Sequence, residues 1–411
     1  MYHQTIHSLF FSALSNVEKN ISSYVYHPEK DFTRTRKLPA TTLMNFLVSE
    51  GSSSTKNELL DFFAMDANHP TASALNQQRA KLKPEALEAV FQEFHKQVSY
   101  LSTSTTSMPY RFLATDGSTF TFFSKPSLAS SEYYVSEGHS AKGFYSIHLN
   151  ALYDLTQHTY TDAVLQPVHE KNEFQAFCHM VDRQVTLPNR KDVFIGDRGF
   201  CSYNNMAHVI EKGQYFLFRT KDIYSKGLVH NFQFPAEDSF DITVSVTLVR
   251  TKAKKKLPMI LGYQRFLDAN TSFDFIEYGS ADTYQLSFRI VRFPISEDTY
   301  ECLVTNLPKE EFPLERLKAL YFSRWDIMPI SAFYPICRYL KNADKIFKTS
   351  CVCIYFRHRK KNIGIYFKPH NRLSISSSSA YLNAISSLKT ESALSLSLCI
   401  ASCFISSVTF A

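Results

Sequence analysis

Residues 192–203 read Asp-Val-Phe-Ile-Gly-Asp-Arg-Gly-Phe-Cys-Ser-Tyr, and this stretch limits the fold more than any other. Val193, Phe194 and Ile195 form an apolar run too short for a helix and rich in β-formers. It reads as a buried strand of an α/β sheet. Gly196-Asp197-Arg198-Gly199 ends the strand and delivers a carboxylate and a guanidinium side by side at its C-terminal edge. In open α/β sheets that edge is where ligands bind. The following segment, 204–212, has helical character and stops at Gly213, which suits a C-cap. A plain surface turn also fits Gly-Asp-Arg-Gly, with Asp and Gly supplying turn geometry.

The 411 residues are enough for two or three domains with a sizeable core. Residues 1–37 read as polar and irregular. Residues 39–105 carry four helical patterns. Pro39 sits early in the first, with Leu43, Phe46 and Leu47 at helical spacing. Thr55 and Glu58 predict a capping box for the second. The third, 71–83, presents Gln77, Gln78, Arg79, Lys81 and Lys83, and Pro84 opens the fourth. The region 1–105 is thus a small helical domain. Its basic third helix fits a DNA-binding head, because Arg and Lys on a helix grip phosphates, and it equally fits an ordinary solvated helix.

From Tyr110 the pattern turns to strands, with Phe120 and Phe122, then runs at 144–152 and 159–165 that look like a hairpin. A helix is expected over 173–185 and a strand over 215–219. Residues 225–298 alternate like a separate β-rich unit. Within it Lys252-Ala-Lys-Lys-Lys256 reads as a hairpin tip or as a phosphate contact. Cys302-Leu-Val-Thr305 resumes a buried strand, and an amphipathic helix is expected over 314–325. The fold class is α/β: a mixed sheet with an inserted β-rich subdomain behind a small helical domain. The domains run 1–105, 106–224, 225–298, 299–345 with a break after 327, and a poorly folding tail at 346–411.

The formal charge is +7, which suits a polyanionic partner without identifying one. None of the eight cysteines makes a CxxC pair, which argues against zinc. No signal-peptide pattern opens the chain, and the serine-diluted tail makes a poor membrane span. A cytoplasmic protein is expected.

Two carboxylates, Asp116 and Asp197, fall at acidic strand ends of one sheet. Such a pair can hold two divalent metals roughly 4 Å apart, activating a water and steadying a leaving oxygen on phosphorus. Hard oxygen ligands suit magnesium. Asp116-Gly117 is also a strong hairpin signal, so a turn competes with the metal site.

Five segments together resemble the DDE transposases of bacterial insertion sequences, in the IS-four-like branch. They are Phe32-Thr-Arg-Thr-Arg-Lys-Leu-Pro39, Pro70-Thr-Ala-Ser-Ala74 with Gln78-Arg-Ala-Lys-Leu-Lys83, Ala114-Thr-Asp-Gly-Ser118, Ile195-Gly-Asp-Arg-Gly-Phe200, and Leu320-Tyr-Phe-Ser-Arg-Trp-Asp-Ile327. The resemblance covers about 30–327. It implies an RNase H-like catalytic domain with a β-insertion and metal-dependent cleavage at element ends. The freed 3′-hydroxyl then attacks target DNA. It assigns Asp116 and Asp197 as the first two catalytic aspartates and as ligands of Mg2+, with Mn2+ as a substitute. Tyr321 and Arg324 match the Tyr-x2-Arg part of a Tyr-x2-Arg-x3-Glu-x6-Lys signature. Arg198, Tyr321 and Arg324 are the expected DNA contacts, and Trp325 is expected to pack in the core. The partners implied are double-stranded DNA, as element ends and target, and a second copy in a homodimer on DNA.

The agreement stops at Ile327. Met328 stands where the signature has its glutamate, and Pro335 where it has its lysine. Methionine is no ligand for magnesium. Asp326 lies two residues early, about 200° round a helix from the 328 face. Prolines, serines and five of the eight cysteines follow 327, as a frame disruption near codon 328 would produce. The leading function is therefore a transposase with weakened catalysis. The alternatives are a non-catalytic DNA-binding protein that still holds element ends, and a metal-dependent nuclease.

Overall fold

The computed structural model describes residues 2–326, except 35–36, 51–52, 106–108, 124–131, 137–142, 158, 188, 254, 256, 260–261 and 298. The side chains of Trp325 and Asp326, residues Met328 and Pro335, and the tail lie outside what is described.

The chain opens with helices α1 (Tyr2–Lys19), α2 (Ala40–Ser49), α3 (Thr55–Phe62), α4 (Ala72–Arg79) and α5 (Glu85–Thr105). The first of these corrects the expectation of an irregular start. Ile6, Phe10, Ala13, Leu14 and Val17 recur every three or four residues and are all buried, which is the stripe of an amphipathic helix. Phe10 packs edge-on against Phe94 of α5, and Asn16 donates to Glu93 at 3.0 Å. The cap of α3 sits one residue earlier than expected. Ser54 accepts from the Asn57 N–H at 3.3 Å, while Glu58 reaches back to the Ser53 N–H at 2.7 Å. Thr71 caps α4 through the Ala74 N–H at 3.1 Å.

The strands are β1 (Tyr110–Phe123), β2 (Tyr134–Val135), β3 (Phe144–Asp154), β4 (Thr159–Pro167), β5 (Lys191–Gly196), β6 (Tyr215–Thr220), β7 (Phe240–Val249), β8 (Tyr263–Phe266), β9 (Thr283–Ser296) and β10 (Thr299–Thr305). Helix α6 (Glu173–Arg183) follows β4, α7 (Tyr203–Glu211) links β5 to β6, and α8 (Leu314–Phe322) follows β10. Strands β4, β3 and β1 pair antiparallel. Strands β5 and β6 then add parallel to β1. Three antiparallel strands followed by two parallel ones, with helices at the crossovers, is the RNase H-like order, and the mixed α/β class stands.

The strands of 240–296 do not form a sheet of their own. β10 pairs with both β6 and β9, so the order runs on as β6-β10-β9-β7-β8 in one continuous sheet. Strands β7 and β8 are parallel, so they are not joined as a hairpin.

Alternation buries both faces of the central strands. Ala114, Val193, Ile195 and Leu217 face one core, shared with α1, α2, α5 and α8. Leu113, Phe194, Phe216 and Phe218 face the other, against α6 and α7. The segment entering α8 is tied to the sheet by Arg289. Its guanidinium pairs with Asp241 at 2.7 Å and donates to the carbonyls of Leu307 and Phe312. The expected helix over 314–325 is α-helical to Phe322 and tightens to a 3-10 turn over Ser323–Asp326.

Candidate active site

One buried ion pair joins the two strands that lead to the aspartates. Arg111 of β1 and Asp192 of β5 are register partners. They are joined by two bonds of 2.7 and 2.6 Å, with each side chain 3% exposed. The paired register runs from Tyr110 with Lys191 to Ala114 with Ile195, so Asp116 and Asp197 each lie two residues beyond its last pair. Neighbouring strands lie about 4.8 Å apart, and the charge of Asp197 acts on the Asp116 carboxyl.

The two aspartates arrive differently. Asp197 follows β5 directly, as expected, and its Oδ1 accepts the Gly199 N–H at 2.8 Å, opening the 3-10 turn Arg198–Phe200. Gly196 is required there, because a Cβ would sit 2.9 Å from the Phe200 Cβ and 3.1 Å from Thr115 Cγ2. Asp116, by contrast, is not at a strand end. β1 runs on to Phe123, and Asp116-Gly117 pairs with Ala151 and Asn150 in mid-sheet. The hairpin reading of Asp-Gly is thereby removed.

Burial pushes the Asp116 carboxyl up from its ordinary range. Arg324 pulls it down, and the charges of Asp197 and Glu173 push it up further. Arg324 therefore lies within electrostatic reach of Asp116, although it is only 6% exposed. Its guanidinium carbon is 5.6 Å from the centre of the Tyr321 ring. Tyr321 is 1% exposed and belongs to the core. As placed, it packs beneath Arg324. Arg198 is exposed beside Asp197.

Glu173 at the start of α6 escaped the sequence reading. Asn172 caps this helix by accepting the Gln175 N–H at 3.0 Å. One oxygen of Glu173, Oε1, lies 3.1 Å from both His148 Nε2 and Lys171 Nζ. His148 and Lys171 hold the carboxyl below its usual range, against the opposing effect of burial. The sequence did hold a signal for it: each aspartate is followed, within two residues, by a glycine that lies against this carboxylate.

The basic helix α4 is less free than its sequence suggests. Gln78 is buried. Arg79 is half-buried beside Glu50, and Lys83 donates to the Ser23 carbonyl at 3.3 Å. Gln77 remains exposed.

The sequence model of the transposase DDE domain matches residues 107–327, more than half of the chain. The chain belongs to the DDE transposase family. The matched span begins just before β1 and takes in Asp116, Asp197, Tyr321 and Arg324. No curated protein matches the chain. Among solved structures, the piggyBac transposase synaptic complex with hairpin DNA is similar at 9% identity over 96% of this chain and 81% of that one, with a TM-score of 0.35.

DDE transposase domains use divalent metal ions. The donor set here fits a hard cation: Asp116 and Asp197 offer only oxygen ligands, and their mutual repulsion in a partly buried place is what a bound cation relieves.

Proposed function

We propose that this transposase cuts DNA at the ends of an insertion sequence and joins the freed 3′ end to target DNA. Asp116 and Asp197 hold Mg2+, for which Mn2+ substitutes. The reading is supported above all by the parallel pairing of β1 with β5, whose last pair, Ala114 with Ile195, comes two residues before each aspartate. When bound, the metal supplies a Lewis acid that activates the attacking oxygen and stabilises the leaving one on phosphorus. The chain's own groups do the rest. The Gly199 N–H fixes one oxygen of Asp197. Arg324, supported by Tyr321, balances charge at Asp116. Arg198 is exposed and suited to a phosphate oxygen of the DNA.

The same reading places the chain in the IS-four-like branch, acting as a dimer that holds two element ends of double-stranded DNA. With Met328 at the position of the signature glutamate, catalysis is slower than in a chain that keeps it. A frame disruption near codon 328 accounts for the abrupt change of composition. It is tested by reading the other two nucleotide frames for a helix that continues with Glu and, seven residues on, Lys.

The deciding experiment is cleavage of an end-containing duplex with Mg2+ or Mn2+, comparing the parent chain with Asp116→Asn and Asp197→Ala. Metal-dependent cutting at the ends that both substitutions abolish is the expected result. Retention of element ends by a gel shift without any cutting would favour the non-catalytic binder. Cutting without preference for ends would favour a general nuclease.

A further inference from the structure

Helices α6 and α7 each carry a polar pair one turn apart: Cys178 and Asp182 on α6, Asn204 and His208 on α7. Asp274, in the connection between β8 and β9, meets both pairs. His208 Nε2 lies 2.8 Å from Asp274 Oδ2, and Nδ1 of the same ring lies 3.0 Å from Asp182 Oδ1. The Cys178 sulfur, a ring nitrogen of His208 and a carboxylate oxygen of Asp274 all lie within 4.8 Å of one another. A point therefore exists no more than about 2.8 Å from all three, and shifts of about half an ångström bring it to the roughly 2.0–2.3 Å of zinc bonds.

The hydrogen bonds of His208 point to a cation at that spot. Both ring nitrogens face carboxylate oxygens, which only accept, and a neutral imidazole has one N–H to give. With Nδ1–H spent on Asp182, Nε2 turns a lone pair toward Asp274, and a positive centre has to stand between them. A proton would need only that nitrogen and that oxygen. The sulfur beside them completes a metal's donor set. A carboxylate holding one ring nitrogen is also how metal-binding imidazoles are oriented at the other. Asp274 is held as well: Asn204 donates to its Oδ2 at 2.8 Å and accepts its backbone N–H at 2.9 Å. The Asn204 amide lies 3.7 Å from the Cys178 sulfur, and the thiol donates to Asn205 Oδ1 at 3.3 Å. Burial, then the charges of Asp274 and Asp182, push this thiol up to about 12. It becomes a thiolate when a bound cation takes the place of its proton.

We propose that Cys178, His208 and Asp274 bind one Zn2+ ion, at a site separate from the oxygen-only pair Asp116 and Asp197. A thiolate, an imidazole and a carboxylate suit this borderline cation, whereas hard Mg2+ prefers oxygen alone. One thiolate and one carboxylate balance the two positive charges. The Cys178 proton, and any proton on Nε2, leave to solvent as the ion binds. Cys178 is 3% exposed while the Asp274 side chain is 60% exposed, so the fourth position opens to water on the Asp274 side. The ion pins the β8–β9 connection onto α6 and α7. Its ligands come from two helices and a loop, so no CxxC-like spacing announces them in the sequence.

The test uses the full chain without DNA, stripped with a chelator and titrated with Co2+, which occupies zinc sites and reports its ligands by absorption. The expected result is a near-ultraviolet thiolate-to-cobalt band that saturates at about one equivalent and is displaced by Zn2+ but not by Mg2+. Co2+ at the oxygen-only pair gives no such band, so Asp116 and Asp197 do not interfere. Cys178→Ser is expected to abolish the band, and Asp274→Asn to weaken Co2+ binding about tenfold or more. Asp274 is exposed, so its variant decides the matter if Cys178→Ser fails to fold. No thiolate band in the parent chain, an unchanged band in Cys178→Ser, or parent affinity in Asp274→Asn overturns the proposal.

Discussion

Removing Arg111 should reveal how firmly the register of β1 on β5 is held. In the change Arg111→Met, the Asp192 carboxylate loses two short charge-assisted bonds in a place where each side chain is 3% exposed. Water cannot replace them. Breaking a buried pair from one side costs about 3–5 kcal/mol, because the stranded charge stays desolvated. The cost falls at the upper end here. Asp154, itself pushed up by burial, also draws on Arg111, and Arg190 then serves both carboxylates alone. For a chain of this size that is a fall of roughly 10 °C in melting temperature. The double variant Arg111→Met with Asp192→Leu removes the stranded charge, and apolar replacements of both partners are often close to neutral. It should recover at least half of the loss. The assay is a double-mutant cycle by thermal and urea unfolding. If the double variant loses as much as the two single losses added together, Arg111 and Asp192 are not coupled. The double variant should also keep Mn2+ binding, since the apolar alternation of Phe112–Ala114 against Val193–Ile195 fixes the same register.

Three further outcomes are expected. Leu14→Ala in α1 should cost about 2–5 kcal/mol in urea unfolding, since Leu14 is fully buried; a change below about 0.5 kcal/mol would show that α1 is not part of the core. Gly213→Ala should cost about 1 kcal/mol, because Gly213 has φ +65° and its N–H closes α7 on the Ile210 carbonyl at 2.7 Å; an unchanged melting temperature would contradict that. Burial pushes Glu50 up to about 7, against the pull of Arg79. Between its unfolded value near 4.5 and about 7, the folded state holds a proton that the unfolded state releases. Stability from this group is therefore present below about pH 4.5 and lost as pH rises to 7. Screening at this half-buried position limits the loss to about 1–2 kcal/mol, and Glu50→Gln should flatten that slope in melting temperature against pH.

What the sequence shows depends on the range of the interaction involved. Local patterns carried the strand at 193–195, the Gly213 cap, the helices from α2 to α5 and the β3–β4 hairpin. The stripe in α1 was equally local, but its polar neighbours, including His3, Gln4 and Asn16, hid the period. The extension of one sheet through β10 and β9 was not legible, because alternation shows that a strand is half-buried and says nothing about which edge it joins. Similarly, Tyr321 carries a family signature, and its burial in the core comes from the packing of α8, which the signature does not show.

The dipeptide Asp116-Gly117 shows how a correct local rule misleads. Asp-Gly between apolar runs signals a tight turn, yet here both residues are paired in mid-strand. A glycine inside a strand weakens it, and it persists where another group must come close. The group that comes close is the Glu173 carboxylate with its His148 partner, and Gly199 makes room for the other oxygen of the same carboxylate. Two glycines 82 positions apart in the chain thus report one side chain that lies between them in neither sequence pattern nor strand register. Gly117 inside its strand and Gly199 in the 3-10 turn after β5 are then better read as space kept for one side chain than as two hairpin turns. Substitution at either glycine should consequently act on Glu173 before it disturbs the backbone that carries it.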